Sequence, residues 1–128
     1  PFVMQGNHDQ FETYLPGLPN QHYVIPLKDV PYYHSLCVMA NNYTTLLWDK
    51  CLGEFSRRWG FPKEMLFPMM NQTVNNLMCL DKDALTGPLK RGDMATVERN
   101  LSALEGDSYH QVYQAFVNSF LESKREVL

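Results

Sequence analysis

The chain has 128 residues, of which 45% are hydrophobic and 20% are charged, with a formal net charge of −3. This composition is typical of a globular protein with one core, and it argues against intrinsic disorder. A slightly acidic chain has few cations to neutralise phosphates, so we expect no nucleic-acid partner. No basic segment leads into an apolar run, and no uncharged stretch is long enough to cross a bilayer, so we expect no secretion and no membrane partner.

The chain has three cysteines, Cys37, Cys51 and Cys79, with no close pair among them. Each lies in an apolar helical stretch, where a free cysteine behaves as a small hydrophobe. We therefore expect reduced thiols and a cytoplasmic protein. His34 lies three residues before Cys37, but no second pair of ligands follows, so we expect no metal site. The seven methionines, mostly at helix-core spacing, are expected to fill gaps in the core.

The N-terminal part has the pattern of a strand, a helix and a strand. Phe2–Gln5 and Tyr23–Leu27 are short apolar runs bounded by turn residues, which predicts strands. Between them, Asp9 is a suitable N-cap for a helix over Gln10–Leu15, which Pro16 ends. A pair of strands is marginal in water, so this part needs a further packing partner.

A long amphipathic helix is predicted from Val30 to Trp59, ending at Gly60, because apolar residues recur at steps of three and four. Its roughly 28 residues would span about 42 Å, more than a domain of this size needs internally. The surplus apolar face predicts a homodimer.

Three further helices are predicted. One begins at Pro62 and runs to about Leu80, with a kink at residues 64–68 because Pro68 removes a backbone donor. After a loop over residues 81–92 with one or two turns, Asp93 caps a helix over Met94–Leu104. Asp107 or Ser108 caps the last helix, whose apolar positions are Val112, Phe116, Phe120 and Leu121.

The chain has no Gly-x-Gly-x-x-Gly motif and no phosphate-binding loop, so we expect this fragment to bind no NAD or NADP unaided. His34 and Asn41 are seven residues apart near the start of the long helix, almost on one face. A histidine there could move a proton beside an amide that orients a carbonyl. The alternative is a structural histidine whose imidazole hydrogen-bonds to a neighbouring side chain.

Two stretches carry a resemblance. They run from Tyr33 to Tyr43, YHSLCVMANNY, and from Ala84 to Asp93, ALTGPLKRGD. With the spacing between them, they resemble an uncharacterised C-terminal domain family that follows a Rossmann-like NAD(P)-binding domain. The first departs from the family at Asn41, where serine is usual, and the second matches closely. Pro1–Met4 and the strand Tyr23–Leu27 resemble the last elements of the preceding domain, so the resemblance covers nearly the whole chain.

That family is similar in layout to pyrroline-5-carboxylate reductase, ketopantoate reductase and the 6-phosphogluconate and β-hydroxyacid dehydrogenases, whose helical C-terminal domains dimerise and close the substrate cleft. The resemblance implies hydride transfer, with His34 and Asn42 as catalytic residues in the cleft where nicotinamide meets substrate. It also implies that Thr86, Gly87 and Arg91 lie on a loop that faces substrate or cofactor. The catalytic lysine of the β-hydroxyacid dehydrogenases has no clear counterpart here, which leaves the reaction type open.

Each of these sets has a structural alternative. His34 and Asn42 could tie helices together through their imidazole and amide groups. Thr86-Gly87-Pro88 could be a turn whose threonine satisfies backbone donors at a helix end.

The sequence therefore predicts a mainly α fold: a helical bundle with a long first helix, similar to the 6-phosphogluconate dehydrogenase C-terminal domain, preceded by a strand-helix-strand remnant of a Rossmann-like domain. The remnant covers residues 1–28 and the helical domain residues 29–128. We expect the substrate-side and dimerisation domain of an oxidoreductase. Its expected partners are a small-molecule substrate and the Rossmann-like domain of the same full-length chain, which binds NAD or NADP. The alternative is a non-catalytic dimerisation or ligand-sensing scaffold.

Overall fold

The computed structural model describes residues 1–6, 8–80 and 84–125, with the backbone alone at residues 8 and 9. Its contacts divide the chain into two compact units, Pro1–Met65 and Leu66–Leu128. Two short strands lie near the start and helices form most of the remainder, so the predicted mainly α class is confirmed. The boundary predicted between residues 28 and 29 concerns which part belongs to a nucleotide-binding domain, and it stays a prediction.

The first unit opens with two parallel strands joined by a helix. Strand β1 is Phe2–Gln5, helix α1 is His8–Tyr14 and strand β2 is His22–Ile25. In the register of the strands, Phe2 is opposite His22 and Gln5 is opposite Ile25. The predicted strand, helix and strand are all present, although α1 begins before Asp9, whose predicted capping side chain lies outside the described residues.

Phe11 of α1 forms the core of this strand-helix-strand part. Its side chain is 3% exposed, and its ring stacks on His22 with 4.1 Å between centroids and 11° between planes. The ring of Phe2 lies 5.6 Å away on a tilted plane. One aromatic side chain therefore ties the helix to both strands, and contacts of this kind add about 0.5–1.5 kcal/mol beyond burial.

A continuous run of helix follows, as predicted. After a 3-10 turn at Leu27–Asp29, it consists of α2 (Val30–Val38), a π-helical segment (Met39–Tyr43) and α3 (Thr44–Trp59). The π-helical segment was not predicted, because spacing at three and four residues does not distinguish one widened turn within a long helix.

Gly60 ends this helix at the predicted position. It adopts the left-handed conformation, with φ of 65°, and the amides of Gly60 and Phe61 donate to the carbonyls of Ser56 and Phe55. The rings of Phe55 and Phe61 then meet edge to face at 6.1 Å. A hydrophobic contact across the last turn commonly accompanies a glycine stop.

The helix predicted from Pro62 to Leu80 is present as two consecutive segments of different type, and the predicted kink stays a prediction. The chain forms a 3-10 helix at Lys63–Leu66, and α4 begins afterwards and covers Phe67–Leu80. Pro68 is therefore the second residue of α4 rather than an interior residue. The first turn of a helix has no intrahelical partners for its N–H groups, so proline is accommodated there.

The second unit also contains α5 (Pro88–Arg91), α6 (Met94–Ala103) and α7 (His110–Arg125). The loop predicted over residues 81–92 thus contains one short helix, α5. Residues 81–83 of that loop lie outside the described part of the chain. Val97 of α6 and Val117 of α7 are buried, and the Asn100 side chain donates to the Tyr113 hydroxyl at 3.1 Å between these two helices.

Of the two caps predicted in the second unit, the one at α6 is present, whereas Asp107 forms a turn that precedes α7. Asp93 accepts a hydrogen bond from the Thr96 amide at 3.1 Å and another from its hydroxyl at 2.7 Å, which confirms Asp93 as the cap of α6. Before α7, the side chain of Asp107 accepts from the Tyr109 amide at 2.8 Å.

The expectation that cysteines and methionines pack in the core is wrong for much of the described chain. All three cysteines are free and exposed. Several methionines are exposed as well, namely Met39, Met65, Met69 and Met78. Both α2 and α4 carry many apolar side chains, and several of these side chains stay exposed within their unit.

Candidate functional site

A cavity of about 370 Å³ lies in the first unit, where β1 and β2 end and α2 begins. Its described lining consists of Val3, Met4, Gln5, Ile25, Val30 and Tyr33. The carboxyl ends of parallel strands meet at one edge of a sheet, and ligands of open α/β sheets bind outside that edge. The cavity therefore lies where this kind of fold places a small-molecule site.

Local sequence explains how α2 reaches the cavity. Pro26 follows β2 in an extended conformation with ψ of 143°, and a single 3-10 turn leads into α2, which has Pro31 in its first turn. Val30 and Tyr33 are three residues apart, so they lie on neighbouring positions of one helical face. That face presents an aliphatic and a phenolic side chain to the ends of the strands.

Tyr33 is the titratable residue in the described lining. The pKa of Tyr33 is raised above its ordinary value, first because its hydroxyl hydrogen-bonds with the Cys37 thiol and then because of the charge of the Cys37 thiolate and burial. A tyrosine hydroxyl is protonated at neutral pH even at its ordinary pKa, so this group can donate a hydrogen bond as well as accept one.

His34 and Asn42, the residues that the sequence predicts as catalytic, both lie on the long helix. His34 follows Tyr33 on α2 and is exposed, and the described lining of the cavity does not include it. Asn42 is exposed in the π-helical segment. Their catalytic role stays a prediction.

The π-helical segment has its own side-chain bonds. The Thr44 hydroxyl donates to the Met39 carbonyl at 3.3 Å, and the Thr45 hydroxyl donates to the Asn41 carbonyl at 2.9 Å. In a π-helix the carbonyls bond to amides five rather than four residues on, and these hydroxyls give the carbonyls of Met39 and Asn41 a further donor. Segments of this type occur frequently at functional sites, which makes the neighbourhood of Asn41 and Asn42 a reasonable place for a polar contact.

Thr86, Gly87 and Arg91, the predicted loop residues, belong to the second unit. Gly87 precedes α5 with φ of 88° and ψ of −171°, a conformation that glycine alone adopts readily. Thr86 and Arg91 are exposed. Two hydrogen bonds from Thr96 lower the pKa of Asp93, and the charges of Arg99 and then Arg91 add to this effect. The loop is therefore built around α5, and its role toward a ligand stays a prediction.

Within the described part of the chain, no three His, Cys, Asp or Glu side chains come together in a way that could hold a metal ion. In the same part, no helix combines the length and apolar character needed to cross a bilayer.

A parallel strand-helix-strand unit that leads into helices defines the class of protein in which an α/β sheet continues into a helical domain. A family model described as a domain of unknown function, DUF2520, matches residues 5–120. The chain belongs to this family. The match spans both stretches that carry the resemblance found in the sequence.

The fold is similar to the crystal structure of a Bacteroides fragilis protein provisionally named an NADP oxidoreductase, with a TM-score of 0.67 and 23% identity. The similarity covers 80% of this chain and 40% of the other, so the chain spans less than half the length of that protein. No curated protein matches the chain.

Sequence reasoning did not find the cavity. Its residues are mostly aliphatic, and no spacing pattern distinguishes them from core positions. One signal was available: the two predicted strands flank a helix, which favours a parallel pair whose carboxyl ends share an edge.

Proposed function

We propose that this chain is the substrate-side and dimerisation domain of an NAD(P)-dependent oxidoreductase and that it needs the nucleotide-binding domain of its full-length protein for activity. The observation that carries the proposal is the likeness in fold to a protein provisionally named an NADP oxidoreductase, of which this chain spans 40%. The remaining length of such a protein is sufficient for a nucleotide-binding domain.

The first unit supports this proposal. Parallel strands occur almost only in sheets that helices cover on both faces, so a pair such as β1 and β2 is typical of a larger α/β sheet. The chain has no glycine-rich phosphate loop, so its own residues offer a cavity at the strand ends but no cradle for a pyrophosphate. The nicotinamide cofactor, when bound by the full-length protein, supplies hydride transfer.

In this proposal the long helix forms one wall of the cleft. Tyr33 meets the ligand within the cavity, His34 donates or accepts a proton, and Asn42 orients a polar group of the substrate. An imidazole changes its charge near neutral pH, which suits proton transfer. Thr86, Gly87 and Arg91 contact substrate or cofactor from the loop around α5.

Dimerisation is the second part of the proposal. An apolar row on the long helix, with spacing of four and three residues, has side chains between 45% and 69% exposed. The row consists of Tyr32, Leu36, Met39, Tyr43 and Leu46. In a regular α-helix such spacing packs one helix against another, and it places Tyr32, Leu36 and Met39 on one face of the long helix. Tyr43 and Leu46 follow the wider turn of the π-helical segment and therefore lie toward a neighbouring face of the long helix. Two copies of the row would bury on the order of 1,000 Å², the lower limit for a specific interface. We therefore assign it to a second copy of the chain.

The alternative, a scaffold without catalysis, is favoured by one contact. The long helix has a single lysine, Lys50, and its amine forms an ion pair with Glu54 at 3.2 Å. A lysine held in this way is poorly placed to act as a proton donor. In the scaffold function, the same cavity would sense a ligand without converting it.

Thermal unfolding of the full-length protein with NADP, NAD or ATP tests the proposal. A ligand that binds only the folded state raises the melting temperature. A free ligand concentration of 100 times Kd stabilises the folded state by about 2.7 kcal/mol. We expect a rise with NADP or NAD and none with ATP, which is a similarly charged nucleotide without nicotinamide. No rise with either cofactor, or an equal rise with ATP, would remove the basis of the oxidoreductase proposal.

A further inference from the structure

The cavity at the ends of β1 and β2 has a definite chemical character. Its described lining combines four aliphatic or thioether side chains, Val3, Met4, Ile25 and Val30, with the amide-bearing Gln5 and the phenol of Tyr33. We infer that this cavity binds an uncharged, mainly apolar small molecule with one carbonyl or amide group, and that this molecule is the substrate.

The absence of charge in the described lining argues against a charged ligand. None of the described lining residues carries a formal charge at neutral pH. Moving a carboxylate from water into an apolar site costs several kcal/mol unless a cation or several donors compensate it. The described lining offers no cation to a carboxylate or phosphate on the ligand, so such a group gains no ion pair there, whereas an uncharged ring or short chain gains from contact with the aliphatic walls.

The polar groups fix the orientation. A tyrosine hydroxyl and an amide can each donate and accept one or more hydrogen bonds, so both can meet a carbonyl or a carboxamide. The Tyr33 hydroxyl also hydrogen-bonds with the Cys37 thiol, one helical turn further along α2.

The volume agrees with a small ligand. Pockets for small molecules are typically about 300–1,000 Å³, and the cavity, at about 370 Å³, is near the lower end. A single ring with a short polar substituent fits this space. Because the ligand is assigned as a substrate, the inference rests on the proposed function in that respect, although binding itself does not require hydride transfer.

Benzamide and benzoate are suitable probes because they have nearly the same shape and differ in charge. We would measure both by saturation-transfer NMR on the full-length protein, with and without saturating NADP. We expect benzamide to bind at least tenfold more tightly than benzoate and to stay bound when NADP is present. Equal or tighter binding of benzoate would overturn the inference, and displacement of benzamide by NADP would assign the cavity to the cofactor instead.

Two tyrosine variants locate the binding. Tyr33→Phe keeps the ring and removes the hydroxyl, so we expect benzamide binding to weaken about three- to tenfold. Tyr14→Phe is the matched control, because Tyr14 is exposed, lies in the same unit and is not part of the described lining. Equal effects of the two variants would place benzamide elsewhere and overturn the inference.

A cavity-filling variant separates this inference from the proposed function. Val30→Phe adds a ring to the wall, and we expect it to abolish benzamide binding while the rise in melting temperature with NADP is retained. Unchanged benzamide binding in Val30→Phe would overturn the inference without affecting the cofactor result. Loss of the cofactor effect in the unmodified protein would instead count against the oxidoreductase proposal alone.

Discussion

Glu54 connects three cations on one face of α3. Its carboxylate accepts hydrogen bonds from Arg58 at 2.7 Å, from Arg57 and from Lys50 at 3.2 Å. These partners lie three or four residues away, the separations at which side chains on a helix meet. Together, with Arg58 first, they lower the pKa of Glu54 from 4.5 to about 2.

This pKa predicts how stability changes in acid. Because the folded-state pKa is below the unfolded one, the network stabilises the protein fully above about pH 4.5, and this contribution is lost as the pH falls toward 2. We expect Glu54→Gln to lower stability slightly at pH 7 and to remove this part of the acid dependence. Urea unfolding at pH 7, 4 and 3 provides the measurement.

The control for this prediction is Asp49→Asn, which removes another exposed carboxylate from α3. It should leave the slope of stability against pH between 4.5 and 3 closer to that of the unmodified protein. If both variants changed the slope equally, the network around Glu54 would not be its cause. Salt should weaken the effect of Glu54, since its partners are solvent-accessible.

At the scale of the element, α3 has one glycine within it and another directly after its last residue, with opposite requirements. Gly60 ends the helix at φ of 65°, whereas Gly53 lies within it, and an added Cβ would meet nothing within 4 Å at either position. We expect Gly60→Ala to destabilise the protein by about 1 kcal/mol because of the left-handed backbone. We expect Gly53→Ala to stabilise it by about 0.5–1 kcal/mol, since alanine loses less backbone entropy.

Chemical denaturation of both variants checks this pair of predictions. The two substitutions add the same methyl group to the same helix, so each is the control for the other. A stabilising Gly60→Ala would contradict the left-handed stop. A strongly destabilising Gly53→Ala would indicate that a partner approaches the helix closely at that position.

The elements show what the sequence can and cannot predict. The strand-helix-strand opening, the long helix and its end at Gly60 all follow from hydrophobic period and strong stop residues. Pro68 was misplaced because a proline in an apolar run fits a kinked interior and a first turn equally well until the start of the helix is known. The one-turn helix at Pro88–Arg91 is too short to show a period.

The candidate site was predictable only in part. The sequence directs attention to residues 33–43, and Tyr33 is indeed in the lining of the cavity. The other lining residues come from two strands and a helix start, and only the parallel pairing brings them together. The pairing of the strands brings these aliphatic residues together, and no local sequence pattern indicates that they are neighbours.

At the scale of the whole molecule, the apolar row of the long helix predicts self-association. We expect light scattering to give the mass of a dimer and the double variant Leu36→Lys, Leu46→Lys to give a monomer. Both side chains are about half exposed, so the substitutions should leave the helical circular dichroism unchanged. The lysines would place like charges in a contact that buries apolar surface.

Asp49→Lys is the control for association, because it also adds a lysine to the long helix but outside the apolar row. We expect it to remain dimeric. A monomeric unmodified protein at high concentration would contradict the assignment of the row to a second copy. A dimer that survives the double variant would place the interface on another surface.

The π-helical segment accommodates one extra residue in the long helix. Its bonds join residues five apart rather than four, so its turn holds about one residue more than an α-helical turn, in which each residue turns the chain by about 100°. Deleting one residue from Met39–Tyr43 would therefore restore regular α-helix and leave the later side chains, Leu46 and the Glu54 network among them, facing nearly the same directions relative to α2. Homologues that lack the extra residue would keep the apolar positions of α3 on the same side of the helix, one place earlier in the sequence.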